Sequence, residues 1–429
     1  MRSGFVTRSI QLLLCLLLSA LPARAQNPTS SESVRVDKLA FVLPSIVQRL
    51  IGNIDPTLQP IVTRALTPTI TAPFASLNAA VVTQLSNLPV SSPASGTRYQ
   101  FDRQLGVYVP FAQSLGPILA ERAETIGAGR FLFAITHQQF AFDRADDLDL
   151  RSIDASVPFE ISGLPGLPPG LTGIGGAHTY VGLHLNETTA YFTYGVAHWL
   201  DVSLATPVVS SSMTVRGTGS VAIPALGVRT DVPAQSVHAS ATGLGDQLFR
   251  VKARLPSETI RVAAAGDVRL PTGDEFNFHG AGAYGVKVFG IASTELGTVS
   301  PHVNVGYERN GSTLLADPAG VNPMRLPTRA FVIAGMDAAV TPRFTVAVDV
   351  SDHVAFDRPR TVLPRVNANG IPETPLGFER ASLHETNLAA GFKTRLIGQM
   401  VASGNVQLRL NEAGLRVRVV PNVGVSWLF

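Results

Sequence analysis

From residue 129 to the carboxyl end, hydrophobic and polar residues alternate with a period of two. Met400, Ala402, Val406, Leu408 and Leu410 share one face, and Ser403, Asn405, Gln407 and Arg409 share the other. The last segment repeats the design. Leu415, Val417, Val419, Val423, Val425, Trp427 and Phe429 lie on one side, opposite Arg416, Arg418, Asn422, Gly424 and Ser426. Side chains alternate across a strand, so such a row has one oily face and one wet face. The same period recurs at Phe249–Ala253, Ile260–Val268, Val303–Tyr307, Phe344–Val350 and Leu388–Leu396. A tilted strand crosses a bilayer in about 9–11 residues. Short links fall near 197–200, 256–258, 293–298, 341–343 and 397–399. Longer links, rich in Gly, Pro, Asp and Asn, fall at 143–178, 217–244, 271–281, 310–327 and 353–382. Short turns at one end and long loops at the other mark a membrane barrel. The pattern predicts an all-β fold: an antiparallel transmembrane β-barrel of about 12 strands over residues 129–429.

Residues 26–128 lack this alternation. Asp55-Pro56 reads as a helix start. Leu77, Val81, Val82 and Leu85 sit at helical spacing, and Tyr99–Phe101 faces Val107–Val109 across a turn. This predicts a partly helical segment that plugs the lumen or extends into the periplasm. Glu121, Arg122 and Glu124, just before the first strand, are its candidate gate or plug contacts. Residues 1–25 read as a signal peptide. Arg2 and Arg8 give a basic start, Ile10–Leu18 is apolar, and Ala23-Arg24-Ala25 is a cleavage site.

Charge follows from that division. The chain has 34 Lys and Arg against 31 Asp and Glu. Three of the basic residues belong to the leader, so the mature chain is balanced and no nucleic-acid partner is expected. The single cysteine, Cys15, leaves with the leader. The inward register predicts a solute path lined by Arg250, Lys252, Arg261, Asp267, Arg269, Asp337, Asp349, Arg409, Arg416 and Arg418. Arg254, Lys287, Lys393, Arg395, Asp201 and Glu308 point the same way. A basic lumen favours anionic solutes, unless these cations pair with luminal or plug acids, which is the preferred expectation.

One phase change interrupts the wall. Val181, Leu183 and Leu185 are apolar on odd numbers, Phe192, Tyr194 and Val196 on even numbers. A one-residue slip needs a bulge, which places a candidate wall bulge at Asn186, Glu187, Thr188 and Thr189 and a lateral exit for an apolar solute. A strand overhanging the membrane explains the same pattern and is preferred.

Catalytic motifs lack their context. Gly280-Ala281-Gly282-Ala283-Tyr284-Gly285 follows a loop and precedes a strand, unlike a dinucleotide site. Nine histidines show no metal spacing. Asp146-Asp147-Leu148-Asp149 lacks the glycine and distal glutamate of a calcium loop. His238-Ala239-Ser240 has the His-x-Ser spacing of outer-membrane phospholipases but falls in a predicted loop. No cofactor, no metal and no enzymatic activity are expected.

From about residue 129 the chain resembles the outer-membrane family named for the meta-pathway of phenol degradation. The resemblance rests on four phrases: Tyr194–Val202 with Pro207, Gly243-Leu244-Gly245-Asp246, Leu270–Glu275 and Pro301–Tyr307. More distantly the chain is similar to long-chain fatty-acid and aromatic-hydrocarbon channels. The resemblance implies a transporter for passive uptake of small apolar or amphipathic molecules, aromatic compounds or fatty acids among them. A closed, structural or surface-interaction barrel is the alternative, and a lipid hydrolase a third reading. Val425, Trp427 and Phe429 resemble the carboxyl-terminal assembly signal of outer-membrane barrels. That signal implies the barrel-assembly machinery as a partner, outer-membrane lipid around the wall, and a Gram-negative-type outer membrane as location.

Overall fold

A strand in a membrane wall must offer lipid an apolar face and satisfy every backbone hydrogen bond sideways, so only closure leaves no unpaired edge. The chain solves this in a computed structural model. The structure describes residues 33–54, 56, 59–60, 62–63, 78, 80–86, 99–102, 107–110, 114–161, 171–257, 260–315, 323–362, 366–368, 371–373 and 377–429. The predicted leader, Asp55 and Leu77 lie outside the described residues.

Twelve antiparallel strands form a closed barrel. They are β1 (Phe131–Ala145), β2 (Leu171–Ala197), β3 (Leu200–Ile223), β4 (Val228–Leu244 continued by Gln247–Leu255), β5 (Arg261–Leu270) and β6 (Gly285–Ser293). There follow β7 (Val299–Asn310), β8 (Thr328–Thr341), β9 (Phe344–Val362), β10 (Gly377–Arg395), β11 (Met400–Arg409) and β12 (Leu415–Val417 continued by Val419–Leu428). β12 closes on β1, with Val425 opposite Ile135 and Leu428 opposite Leu132. Phe429 N donates to Phe131 O at 2.8 Å.

The wall is apolar outside and polar inside. Val251, Val268, Val288, Val305, Val332, Val348, Val406 and Val423 are exposed on the outer face, Val305 at 54%. Arg250, Asp267, Asn304, Asp337, Asp349 and Gln407 are buried in the interior, Asp349 at 0%. This inversion of a soluble protein is the signature of a transmembrane barrel. Aromatic rings gather at the short-turn rim: Trp427 stacks on Phe429 at 4.7 Å, and Phe131 lies 6.3 Å from both Phe429 and Phe192.

Several long links prove to be paired strand. β3 and β4 stay paired to Ile223 and Val228. β9 and β10 stay paired to Val362 and Gly377. Ile153–Ile161 pairs with the start of β2. Beyond the apolar belt the outward positions become Ser210, Ser212, Thr214, Arg216 and Thr218. Water replaces lipid there, so the apolar signal fades while backbone pairing persists.

The same change of solvent explains the phase inversion in β2. Pairing runs unbroken through 186–190 with both β1 and β3, so Asn186, Glu187, Thr188 and Thr189 form no bulge. Val181, Leu183 and Leu185 face inward, as do Glu187 and Thr189. They are apolar because they pack on the amino-terminal segment. Its helix α1 (Val42–Gly52) buries Val42, Leu43, Ile46 and Leu50, the spacing of one helical face. Pro44 lies in the first turn, where its missing N–H costs nothing. Met213, Val215, Val237 and Ala239 complete this apolar cap. Residues 80–85 are also helical, and Val81, Val82 and Leu85 are buried in the same cluster.

β12 departs from its predicted single face. Its register with β1 shifts between Arg416 and Val417, and the strand is interrupted at Arg418. Leu415 and Val417 are buried, and Arg418 is exposed rather than luminal. One added residue moves the following side chains to the opposite face.

Candidate functional site

A strap, residues 114–126, lies inside the barrel without helix or strand pairing of its own. Its backbone needs partners, and wall side chains supply them. Asp349 Oδ2 accepts the consecutive amides of Ile118 (3.1 Å), Leu119 (2.7 Å) and Ala120 (3.3 Å). Its Oδ1 meets His302 Nε2 at 2.6 Å. Asn304 imitates a strand neighbour: Oδ1 accepts Glu121 N at 2.7 Å and Nδ2 donates to Glu121 O at 3.0 Å. Leu115 N donates to Thr345 Oγ1, Ala123 N to Ser293 Oγ, and Ile126 N to Asp201 Oδ2.

The three charged strap residues all reach the wall. Glu121 pairs with Arg250 and, at 3.3 Å, with Lys252. Arg122 pairs with Asp337, which also accepts from Ser114. Glu124 meets Arg261 at 2.6 Å. The strap is therefore tied to every strand from β9 back to β3. Glycines make its seats. A Cβ at Gly335 would stand 2.1 Å from Asp349 Oδ1, and one at Gly195 would stand 1.8 Å from Gly127 O.

Between the strap and the 80–86 segment lies a chamber of about 190 Å³. Along one wall, directly opposed residues of five successive strands alternate in sign: Arg250, Asp267, Lys287, Glu308 and Arg329. Arg250 Nε donates to Asp267 at 2.6 Å and Lys287 meets Asp267 at 3.1 Å. Arg329, fully buried, donates to Thr83 O and to Ser86 Oγ at 2.9 Å, fixing the 80–86 segment to the wall. Phe331 stacks on His353 at 5.5 Å and meets Phe289 tilted at 5.9 Å, and Lys287 Nζ stands 5.3 Å from the Phe289 ring. Phe140, Val209, Val417 and Val420 add apolar lining.

The luminal cations are largely spoken for. Arg269 lies 3.4 Å from Asp246, Arg409 lies 3.4 Å from Asp143, and Arg261 also meets Glu295 at 2.9 Å. Arg416 donates to Asn387 Oδ1 and to Thr386 O. Lys252 is buried beside Glu121, and Lys393 is buried on β10. A simple excess of positive charge therefore does not describe this lumen.

Strand β4 is interrupted where it passes through Gly245 and Asp246. Gln247–Leu255 pairs with β5, whereas Val228–Leu244 is met by the amino-terminal segment, through the parallel pairing of Val34 and Arg35 and the bond from Val36 N to His238 O. The 271–284 loop covers the break. Asp246 accepts Gly273 N at 3.1 Å and Ala281 N at 2.8 Å, and Thr272 Oγ1 donates to Gly245 O at 2.9 Å. A Cβ at Gly280 would lie 2.1 Å from Asp246 Oδ1. Thus Gly243–Asp246 and two Gly-containing stretches of the 271–284 loop build one junction. Lys38 joins it by a 2.5 Å pair with Asp274. Burial raises the Asp274 carboxyl, but donation from Lys38 and from Asn277 outweighs burial and holds it below its ordinary range.

Other motifs find structural roles. Asp146 accepts Gly414 N at 2.7 Å and faces Arg358. His238 and Ser240 lie on strand β4, not in a loop, and no hydrogen bond joins their side chains. Among the described residues no group of three or more His, Cys, Asp or Glu converges as a metal site.

Sequence reasoning missed the strap's acceptors, Asn304, Ser293 and Thr345, because a peg for a backbone amide carries no motif. His302 and Asn304 did stand in the Pro301–Tyr307 phrase, and Asp201 and Gly195 in the Tyr194–Val202 phrase. These phrases hold the strap.

No family model matches the chain. No curated protein matches it. Among solved structures, an outer membrane channel from Pseudomonas putida F1 aligns with TM-score 0.46 at 12% identity, over 72% of this chain and 98% of that one. The monoaromatic hydrocarbon channel CymD aligns with TM-score 0.32 at 11% identity, over 71% and 89%. The Ralstonia pickettii toluene transporter TbuX aligns with TM-score 0.31 at 10% identity, over 70% and 89%.

Proposed function

We propose that this barrel is an outer-membrane channel of a Gram-negative-type cell for passive uptake of small apolar or amphipathic molecules. The chamber carries the reading. It sets Phe140, Phe289 and Phe331 beside a charged wall, a lining suited to a solute with one oily and one polar end. It lies between two ordered closures, so access is a matter of displacing a segment rather than filtering by size alone. No step requires a cofactor or metal. The Val425, Trp427 and Phe429 face supports insertion by the barrel-assembly machinery. The four phrases named above support membership of the phenol meta-pathway family.

The many strap bonds favour the second reading, a permanently closed structural barrel. Solute influx into proteoliposomes separates the two. Uptake by the wild type, raised several-fold in Asp349→Ala, supports the channel. A wild type and a strap variant that are both impermeable establish the closed barrel.

A further inference from the structure

The chamber's acids have cationic partners with one conspicuous departure. Glu121 meets Arg250, Asp246 meets Arg269, Asp267 meets Arg250 and Lys287, Glu308 meets Arg329, and Glu385 meets Arg358. Glu187, on β2, has none among the described residues. It is 6% exposed and lines the chamber. Its two donors, Gln138 Nε2 at 3.1 Å and Thr189 Oγ1 at 2.8 Å, both go to Oε1. Among the described residues no group donates to Oε2.

A buried carboxylate without a counter-charge is costly. Its surroundings offer no relief. Its wall neighbours Gln138 and Val209 are uncharged, and so are Leu185 and Thr189 on its own strand face. Phe140 and Val209 border the same part of the chamber. The carboxylate thus stands beside apolar surface, on a strand that carries no residue of the charge ladder.

We propose that Glu187 is the counter-ion for an ammonium head, so that the chamber takes a small amine with an aromatic or alkyl body. The amine N–H donates to Oε2, and the body rests on Phe140 and Val209. This deepens the uptake reading and rests on it.

Three near-isosteric probes test it on the full chain in lipid nanodiscs: benzylammonium, benzyl alcohol and benzoate, with binding read by calorimetry against empty discs. The wild type is expected to bind benzylammonium at least about 10-fold more tightly than benzyl alcohol, the scale of one charge-assisted hydrogen bond. Glu187→Gln keeps both Oε1 donors satisfied, so it should erase that preference and leave benzyl alcohol binding unchanged. Glu187→Asp should retain part of it. Equal affinities for the amine and the alcohol in the wild type overturn the proposal. So does an unchanged preference in Glu187→Gln, or displacement of the amine by millimolar sodium, which would assign the carboxylate to an inorganic cation. If none of the probes binds and none crosses proteoliposomes, the uptake reading itself fails. If benzyl alcohol binds and crosses without an amine preference, only the Glu187 assignment fails.

Discussion

Single residues here act chiefly by accepting backbone amides. Asp349 shows this most plainly, because one carboxylate takes three consecutive strap amides and a histidine. Truncating it leaves buried N–H groups unsatisfied, at a cost on the order of 1–3 kcal/mol each. Asp349→Ala is therefore expected to free the strap while the barrel stays folded. Planar-bilayer conductance should rise, and limited proteolysis should cut within 114–126. A glycine gives the converse test. Gly280→Ala places a methyl group against Asp246, and overpacking of this kind costs about 1–3 kcal/mol. Its unfolding transition in urea should shift downward, whereas Gly290→Ala, where a Cβ meets nothing within 4 Å, should leave it nearly unchanged.

Strands carry a message that depends on the medium they face. In the belt, alternation was legible because lipid accepts only apolar side chains, and Val303, Val305 and Tyr307 or Val346, Val348 and Val350 read correctly. Above the belt the rule reverses. Val181, Leu183 and Leu185 are apolar because a helix covers them from within, which sequence alone presented as a slip in phase. The bend at Arg418 was equally hidden, since Leu415, Val417 and Val419 keep an unbroken apolar period across it. A charge on the lipid face at mid-membrane costs about 2–4 kcal/mol. Val305→Lys is expected to lose that much in equilibrium unfolding from lipid vesicles. Arg418→Ala, exposed at the strand interruption, should stay within about 0.5 kcal/mol of the wild type.

For the whole molecule, the barrel was legible, and of its contents only the wall contacts of Glu121, Arg122 and Glu124. Closure follows from strand number and pattern, whereas the strap and the cap arise largely from contacts between segments more than a hundred residues apart, and the junction from loop contacts with no motif. Asp246 stood in a family phrase, but nothing in the sequence marked it as the acceptor of Gly273 and Ala281. Luminal arginines could be counted, but their partners Glu121, Glu124 and Asp143 come from the strap or from other strands, so a charge tally could not describe the field. The resulting molecule holds a lipid-facing shell around a chamber closed by a tethered segment of its own chain. On the proposed uptake reading, solute moves through this lumen when the strap yields. The only cysteine in the sequence is Cys15, so in a mature chain lacking the leader a designed pair reports cleanly. The most direct measurement is solute influx through the double variant Ala123→Cys, Ser293→Cys, whose two positions are hydrogen-bonded neighbours at 3.2 Å. Influx that stops on oxidation and returns on reduction is the predicted result, and influx indifferent to the bridge would contradict the account.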